Sequence, residues 1–480
     1  MEQQQKPKKK KIRSYPILVV SAFYALIFCV MLVYISVYAY NNRQVLMNNS
    51  YNTRQQILLN QNLRGSILSR DGDVLAYSET DANGKDARVY PYGKEFAHVV
   101  GYSTNGKAGI EALANYYLIN TSIDLPDKVA LDTQGSKYPG DMCITTLDVN
   151  LQEVAYNALS ARKGAVVVTN PKTGEILAMV SKPDFDPNTI QSDWESLLAD
   201  KSPDAKLLNR ATQGKYPPGS TFKIITTLAY LKQHPQDYTN YKFSCNGRFQ
   251  AEGESIQCFH GEVHGSVDLT KSFAESCNSS FANIGVNLDR KVFSETLNQL
   301  LFNQELPIET LYAKSSAKID QSTSVGDVMQ LSIGQGSTSV SPMHMNMITC
   351  AIANEGVLMK PYLVDSIKSV DGKTVKNYAP DSYKRLMTAL EADTIKGMMK
   401  EVVESGTASK LKGLSYTAAG KTGSAEFTNT TTDSHAWFTG FAPADDPEIC
   451  VTIIVENAGS GGSFAVPIAK RIFDAYFGVE

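Results

Sequence analysis

Pro16 to Tyr40 reads PILVVSAFYALIFCVMLVYISVYAY, 25 residues without a single charge. As a helix this run reaches about 37 Å, enough to cross the ~30 Å hydrocarbon core of a bilayer with some tilt. Tyr15, Tyr38 and Tyr40 fall near its two ends, where amphipathic rings are favoured. Six bases (Lys6, Lys8, Lys9, Lys10, Lys11 and Arg13) and one acid, Glu2, precede it. That excess predicts an N-terminus held in the cytoplasm and residues 41–480 outside it, in a single-pass plasma-membrane protein. A cleaved signal peptide is the alternative. Its apolar region is usually 7–15 residues, and only Val37-Tyr38-Ala39 offers a weak small-residue cleavage site.

Beyond the span the chain reads as ordinary globular protein. Of 480 residues, 42% are hydrophobic and 20% charged, which excludes a disordered or low-complexity chain. Lys plus Arg number 46 against 49 Asp plus Glu, so no nucleic-acid partner is expected. Seven cysteines, one of them (Cys29) in the span, are too few for a disulfide scaffold. The extracytoplasmic side permits a bridge between Cys245 and Cys258, which flank the β-like excursion NGRFQAEGESIQ. His260 and His264 stand four apart, but no third ligand follows at metal-like spacing. No metal and no cofactor is therefore expected.

Four segments are predicted: a basic tail over 1–15, the transmembrane helix over 16–40, a small β-rich module over 41–150, and a larger domain over 151–480. In the small module, RGSILSRDGDVLAYS carries two apolar runs around Asp71-Gly72, a tight-hairpin signal. In the larger one, LQEVAYNALSA (151–161) is an amphipathic helix. GAVVVTN-PKTG-EILAMVS (164–181) then reads as a β-hairpin. Three further strands are predicted late, over 415–427, 435–442 and 449–456, followed by a helix over 465–477. Two early strands and three late ones, with helices between, make an α+β fold. Its one antiparallel sheet is assembled from both ends of the chain.

KYPPGSTFKIITTLAYLK (215–232) carries the chemistry. Pro217-Pro218-Gly219 ends any preceding helix, and Ser220 suits the N-cap or first turn of the next. That helix is apolar on most sides and hence buried. Ser220 and Lys223, three apart, share one face. A buried lysine sheds its proton because desolvation penalises the ammonium, and it can then accept one from a serine hydroxyl. Ser-x-x-Lys also occurs at Ser315–Lys318, Ser-x-Asn at Ser50, Ser103 and Ser276, and Lys-Thr-Gly at 172–174 and 421–423. Order selects Ser220–Lys223, then Ser276–Asn278, then Lys421-Thr422-Gly423 inside a strand. That succession is the signature of serine acyl-transferases of the penicillin-binding and β-lactamase type.

The chain resembles a class B penicillin-binding protein, a monofunctional peptidoglycan D,D-transpeptidase. RGSILSRDGDVLA (64–76), GIEALANYYL (109–118), ITTLDVNLQ (144–152), GAVVVTNPKTGEILAMVSKPDFDPN (164–188), SIGQGSTSVSPMHM (332–345) and HAWFTGFAP (435–443) carry the resemblance. Ser424 departs from the threonine usual after Lys-Thr-Gly but keeps the hydroxyl. The resemblance implies a five-stranded antiparallel sheet flanked by helices, with a pedestal or dimerisation-like module. It also implies that Ser220 attacks a D-Ala-D-Ala stem peptide and is acylated by β-lactam antibiotics. Lys223 would take the proton, Ser276 would relay one to the leaving amine, and Asn278 would bind the substrate amide. Lys421, Thr422, Gly423 and Ser424 would hold the terminal carboxylate, and the backbone N–H groups of Ser220 and Ser424 would form the oxyanion hole. A multi-spanning membrane glycosyltransferase is the implied partner. Hydrolysis, as a D,D-carboxypeptidase or β-lactamase, is the alternative on the same chemistry; Glu295-Thr296-Leu297-Asn298 is one residue short of a deacylating Glu-x-x-Leu-Asn stretch. Cys277 is expected to be a small buried thiol, and His435 and Trp437 to fill the core.

Overall fold

The computed structural model describes residues 15–42, 46, 54–426 and 434–479. Apart from Tyr15, the basic tail predicted over 1–15 lies outside the described residues. The chain divides into two units, Met1–Gln61 and Asn62–Glu480. In the first, Tyr15–Asn41 is one helix of 27 residues with mean hydropathy 2.6 and no buried residue, long and apolar enough to cross a membrane.

The second unit holds two larger sheets. Its central sheet runs Ala419–Glu426, Ser434–Ala442, Ile449–Val455, Gly164–Thr169, Ile176–Lys182, antiparallel throughout. This is the five-stranded sheet expected from strands at both ends of the chain. Every residue of Gly164–Thr169, Ile176–Lys182 and Ile449–Val455 is buried. Such strands read as continuous apolar runs because helices cover both faces. Val149–Leu159 and Gly461–Phe477 pack on one side and Pro342–Ala353 on the other. The last is buried at all twelve positions, with Pro at its start and the Ser341 hydroxyl accepting the His344 N–H as its cap.

The other sheet has the order Thr374–Asn377, Val364–Lys368, Met142–Thr145, Ile67–Leu68, Val74–Thr80, Asp86–Val89. The hairpin expected at Asp71-Gly72 forms between Ile67–Leu68 and Val74–Thr80. Two of the six strands come from residues 364–377, far outside the segment 41–150, so the N-terminal module is closed by a late excursion of the chain.

A buried ion cluster pins this module. The Glu111 carboxylate accepts from Arg64 at 2.6 Å and from Arg88 at 2.7 Å, and Arg64 donates also to Asn115 Oδ1 and to the Glu111 carbonyl. Burial raises the Glu111 pKa, but the two guanidinium charges outweigh it and keep the carboxyl below its ordinary value. Arg64 opens one segment that carried the family resemblance and Glu111 lies in another. Glu111→Ala would leave two buried cations without a counter-charge. Its expected cost is about 3–5 kcal/mol of stability, read as a clear fall in Tm of the detergent-solubilised chain; an unchanged Tm would contradict the cluster's role.

Candidate active site

Ser220 sits in a 3₁₀ turn, Gly219–Phe222, that runs directly into the α-helix Lys223–Gln233. The sequence reading put Ser220 at the N-cap or first turn of an α-helix; the extra tight turn comes from Pro217-Pro218 and from Gly219 at φ +53°. Neighbours hold this turn on three sides. Gly219 N–H donates to the Gly334 carbonyl at 2.9 Å, Trp437 Nε1 to the Pro217 carbonyl at 3.1 Å, and Thr221 Oγ1 to the Pro218 carbonyl at 2.8 Å. A Cβ on Gly219 would meet the Ser424 carbonyl oxygen at 2.8 Å, and one on Gly334 would meet the Gly219 carbonyl oxygen at 2.2 Å. Glycine is needed at both, since the backbones approach closely at positive φ. Trp437 is core, as expected, and also clamps the turn.

Lys223 begins the α-helix and is fully buried. Its Nζ donates to the Ser276 carbonyl at 2.5 Å, to Ser276 Oγ at 3.1 Å and to Asn278 Oδ1 at 2.7 Å. Lys421, also fully buried, donates from Nζ to Ser276 Oγ at 3.0 Å. The Ser276 hydroxyl therefore lies between two amines. Two helices set its place. Leu269–Ala274 ends just before it, and Cys277 caps Asn278–Asn287 by accepting the Ser280 N–H. Ser276 itself is left-handed, at φ +59°. It occupies the helix-end position that glycine usually fills, with Cys277 N–H donating to the Ser272 carbonyl at 2.9 Å. Such a conformation costs a non-glycine residue about 1–3 kcal/mol and persists where surrounding structure enforces it.

Burial lowers the Lys223 pKa from its ordinary value to about 7, with the sulfurs of Cys277 and Cys258 acting weakly in the opposite direction. Lys421 is pushed well below its ordinary value by burial first and by the charge of Lys223 second. Burial, rather than repulsion from Lys421, is thus what lowers the Lys223 pKa.

Above these amines opens a cleft of about 1140 Å³ lined by Ser220, Ser276, Asn278, Thr422, Gly423 and Ser424. Lys421 lies beneath this wall, so the hydroxyls of Thr422 and Ser424 stand nearer a ligand than its amine does. Thr422 Oγ1 shares a hydrogen bond with Thr407 Oγ1 at 2.5 Å, and Ser424 Oγ accepts the Gly461 N–H at 3.4 Å. The sequence reading missed Thr407, Lys410, Ser460 and Ser463 on that side, and Gln335 to Ser339 opposite. The SIGQG segment is the one signal that could have found the latter. His435 packs edge-on against Tyr216, a structural contact as expected.

The possible disulfide is corrected, and the sulfurs show a grouping that the sequence spacing did not. Cys245 and Cys258 are free thiols with Sγ atoms 3.7 Å apart, wider than the about 2.05 Å of a disulfide. The absence of metal-like ligand spacing also does not carry into space: the fold gathers Cys245, Cys258, His264 and Cys277 so that their ligand atoms all lie within 4.8 Å of one another.

A profile of the penicillin binding protein transpeptidase domain matches residues 164–474, and one of the penicillin binding protein A dimerisation domain matches residues 64–139. The peptidoglycan D,D-transpeptidase PbpA of Mycolicibacterium smegmatis is 32% identical over 453 residues, covering 88% of this chain and 91% of that protein. The peptidoglycan D,D-transpeptidase MrdA of Acinetobacter baumannii is 32% identical over 446 residues, covering 81% of this chain and 65% of that protein. The solved structure of penicillin-binding protein A from M. tuberculosis, a ceftriaxone acyl-enzyme complex, matches with a TM-score of 0.78 at 28% identity, covering 86% of this chain and 98% of that one.

Proposed function

The chain belongs to the family of penicillin-binding protein transpeptidases, and we propose that Ser220 is the residue through which it works. The protein is a peptidoglycan D,D-transpeptidase that cross-links stem peptides by way of a serine acyl-enzyme, and β-lactams acylate the same serine. The observation that carries the assignment of roles is the buried Lys223, one turn from Ser220 and hydrogen-bonded to both Ser276 and Asn278.

Ser220 Oγ attacks the carbonyl of the penultimate D-Ala, and its proton passes to neutral Lys223. The backbone N–H groups of Ser220 and Ser424 receive the developing oxyanion. Ser276, bridged to both amines, returns a proton to the leaving D-Ala amine. Asn278 spends Oδ1 on Lys223 and one N–H on the Gln257 carbonyl, 3.2 Å away. Its second N–H is left for the substrate amide. The terminal carboxylate rests on the hydroxyls of Thr422 and Ser424 beside Gly423, with Lys421 beneath. The amine of a second stem peptide then takes the acyl group.

Hydrolysis in the manner of a class A β-lactamase would need a carboxylate placed to activate water at the acyl-enzyme. The cleft's Glu262 and Glu275 are instead paired with His264 at 3.9 Å and Lys271 at 3.8 Å. The protein is membrane-bound through Tyr15–Asn41; its N-terminus lies in the cytoplasm and its catalytic domain outside. We propose a pedestal over residues 41–150, its sheet completed by the late strands Val364–Lys368 and Thr374–Asn377, and a transpeptidase domain over 151–480, and take a multi-spanning glycosyltransferase as the source of the glycan strands.

The reactive form of Lys223 is the neutral amine, whose fraction grows as pH rises through about 7. The acylation rate with a fluorescent penicillin should therefore climb about tenfold per pH unit below 7 and flatten above it. A rate that still climbs tenfold per unit between about pH 8 and 9 would contradict Lys223 as the base.

A further inference from the structure

We propose that Cys245, Cys258, Cys277 and His264 form a closed structural zinc site that holds the Ser276-Cys277-Asn278 turn in its catalytic shape. The distances fit tetrahedral zinc. Bonds of about 2.3 Å to sulfur and 2.0–2.1 Å to nitrogen imply S···S edges of about 3.8 Å and S···N edges of about 3.5 Å. Cys245 Sγ and Cys258 Sγ are 3.7 Å apart, Cys258 Sγ and Cys277 Sγ 3.7 Å, and Cys245 Sγ and His264 Nδ1 3.4 Å. All three cysteines are at most 3% exposed.

The surroundings suit thiolate ligands. Each sulfur receives a backbone N–H at 3.4 Å: Cys245 from Gly247, Cys258 from Ser279, Cys277 from Ser280. These donors favour the deprotonated sulfur. Gly247, at φ +91°, lets the chain turn back on Cys245, and a Cβ there would meet the Gly261 carbonyl oxygen at 2.7 Å. With Nδ1 turned to the sulfurs, His264 faces the Glu262 carboxylate with Nε2, 3.9 Å away, a separation longer than a hydrogen bond. On binding, the three thiol protons pass to solvent, the imidazole stays neutral, and the site carries one net negative charge. Three thiolates and one imidazole select zinc over hard cations and leave no open position for catalysis.

The ligands come from four places: the end of the strand Lys242–Cys245, the end of Glu254–Gln257, the approach to Gly265–Asp268, and the N-cap of Asn278–Asn287. Zinc would tie the cleft-lining excursion 246–264 to the residue between Ser276 and Asn278. Its part is to position both.

The test is the metal content of the full chain, purified in detergent with a reductant and supplied with zinc. About one zinc per chain is expected, falling at least tenfold in Cys258→Ser and in His264→Ala but retained in His260→Ala. Since a variant could fail to fold, wild-type stoichiometry and the visible spectrum after cobalt exchange are read independently; intense tetrahedral thiolate bands are expected. Stripping zinc with a strong chelator should slow penicillin acylation at least tenfold, restored by zinc. Fewer than about 0.1 zinc per wild-type chain, iron or copper in its place, or a Cys245–Cys258 disulfide mapped in protein taken from the membrane would each overturn the proposal. Ser220→Ala should keep its zinc, so failure of the transpeptidase roles and failure of the metal site are read separately.

Discussion

Ser220→Ala is expected to lose penicillin acylation by at least about 10⁴-fold while keeping its fold. Removing the nucleophile of a serine acyl-enzyme leaves no alternative route to the covalent intermediate, and single losses of this kind cost nearly as much as removing the whole catalytic set. Ser276, the other hydroxyl that the proposed mechanism uses, already bridges Lys223 and Lys421. The contacts that hold the turn belong to Gly219, Thr221 and Trp437. Losing one half-buried hydroxyl should therefore move Tm by only a few degrees. Gel labelling with a fluorescent penicillin and a thermal scan of the same preparation measure both. Labelling within tenfold of wild type would refute Ser220 as nucleophile.

Lys223→Met is the second large effect. It keeps an unbranched chain in the buried space but removes the proton acceptor. Positioned general bases contribute about 10²–10⁴-fold, and acylation should fall by that factor. Lys223→Arg separates chemistry from packing. Arginine supplies a cation to Ser276 and Asn278 but cannot lose its proton, so it should be as inactive as methionine. Recovery of acylation in Lys223→Arg would mean that charge alone is needed. Adding Lys223→Met to Ser220→Ala should slow the reaction little further, because without the nucleophile the base has no proton to accept.

What the sequence made legible follows from short-range physics. The three-residue spacing of Ser220 and Lys223, the continuous β-branched runs over 164–169 and 449–455, and the Asp71-Gly72 turn each act within a few residues. The strands and the hairpin appear in the fold as expected, while Ser220 precedes Lys223 in a 3₁₀ turn instead of an α-helical one. What stayed hidden depends on long-range closure. Val364–Lys368 pairs with Met142–Thr145 more than 200 positions away, and Ile67–Leu68 is too short to show any alternation. Buried Lys421 bonds to Ser276, 145 positions before it. The cysteine–histidine cluster escaped notice because its successive members stand 13, 6 and 13 positions apart. No pair has the tight C-x₂₋₄-C spacing that marks zinc sites. The hairpin of Arg248–Ala251 with Glu254–Gln257, the pairing of Lys242–Cys245 with Gly265–Asp268 and the helix Leu269–Ala274 fold those intervals onto one point.

The most direct measurement of the central claim is peptide mapping of wild-type protein after brief exposure to benzylpenicillin. Trypsin should release the segment 216–223 carrying one penicilloyl adduct, and fragmentation should place it on Ser220. A fully labelled protein in which that segment is recovered unmodified, with the adduct elsewhere, would contradict the account.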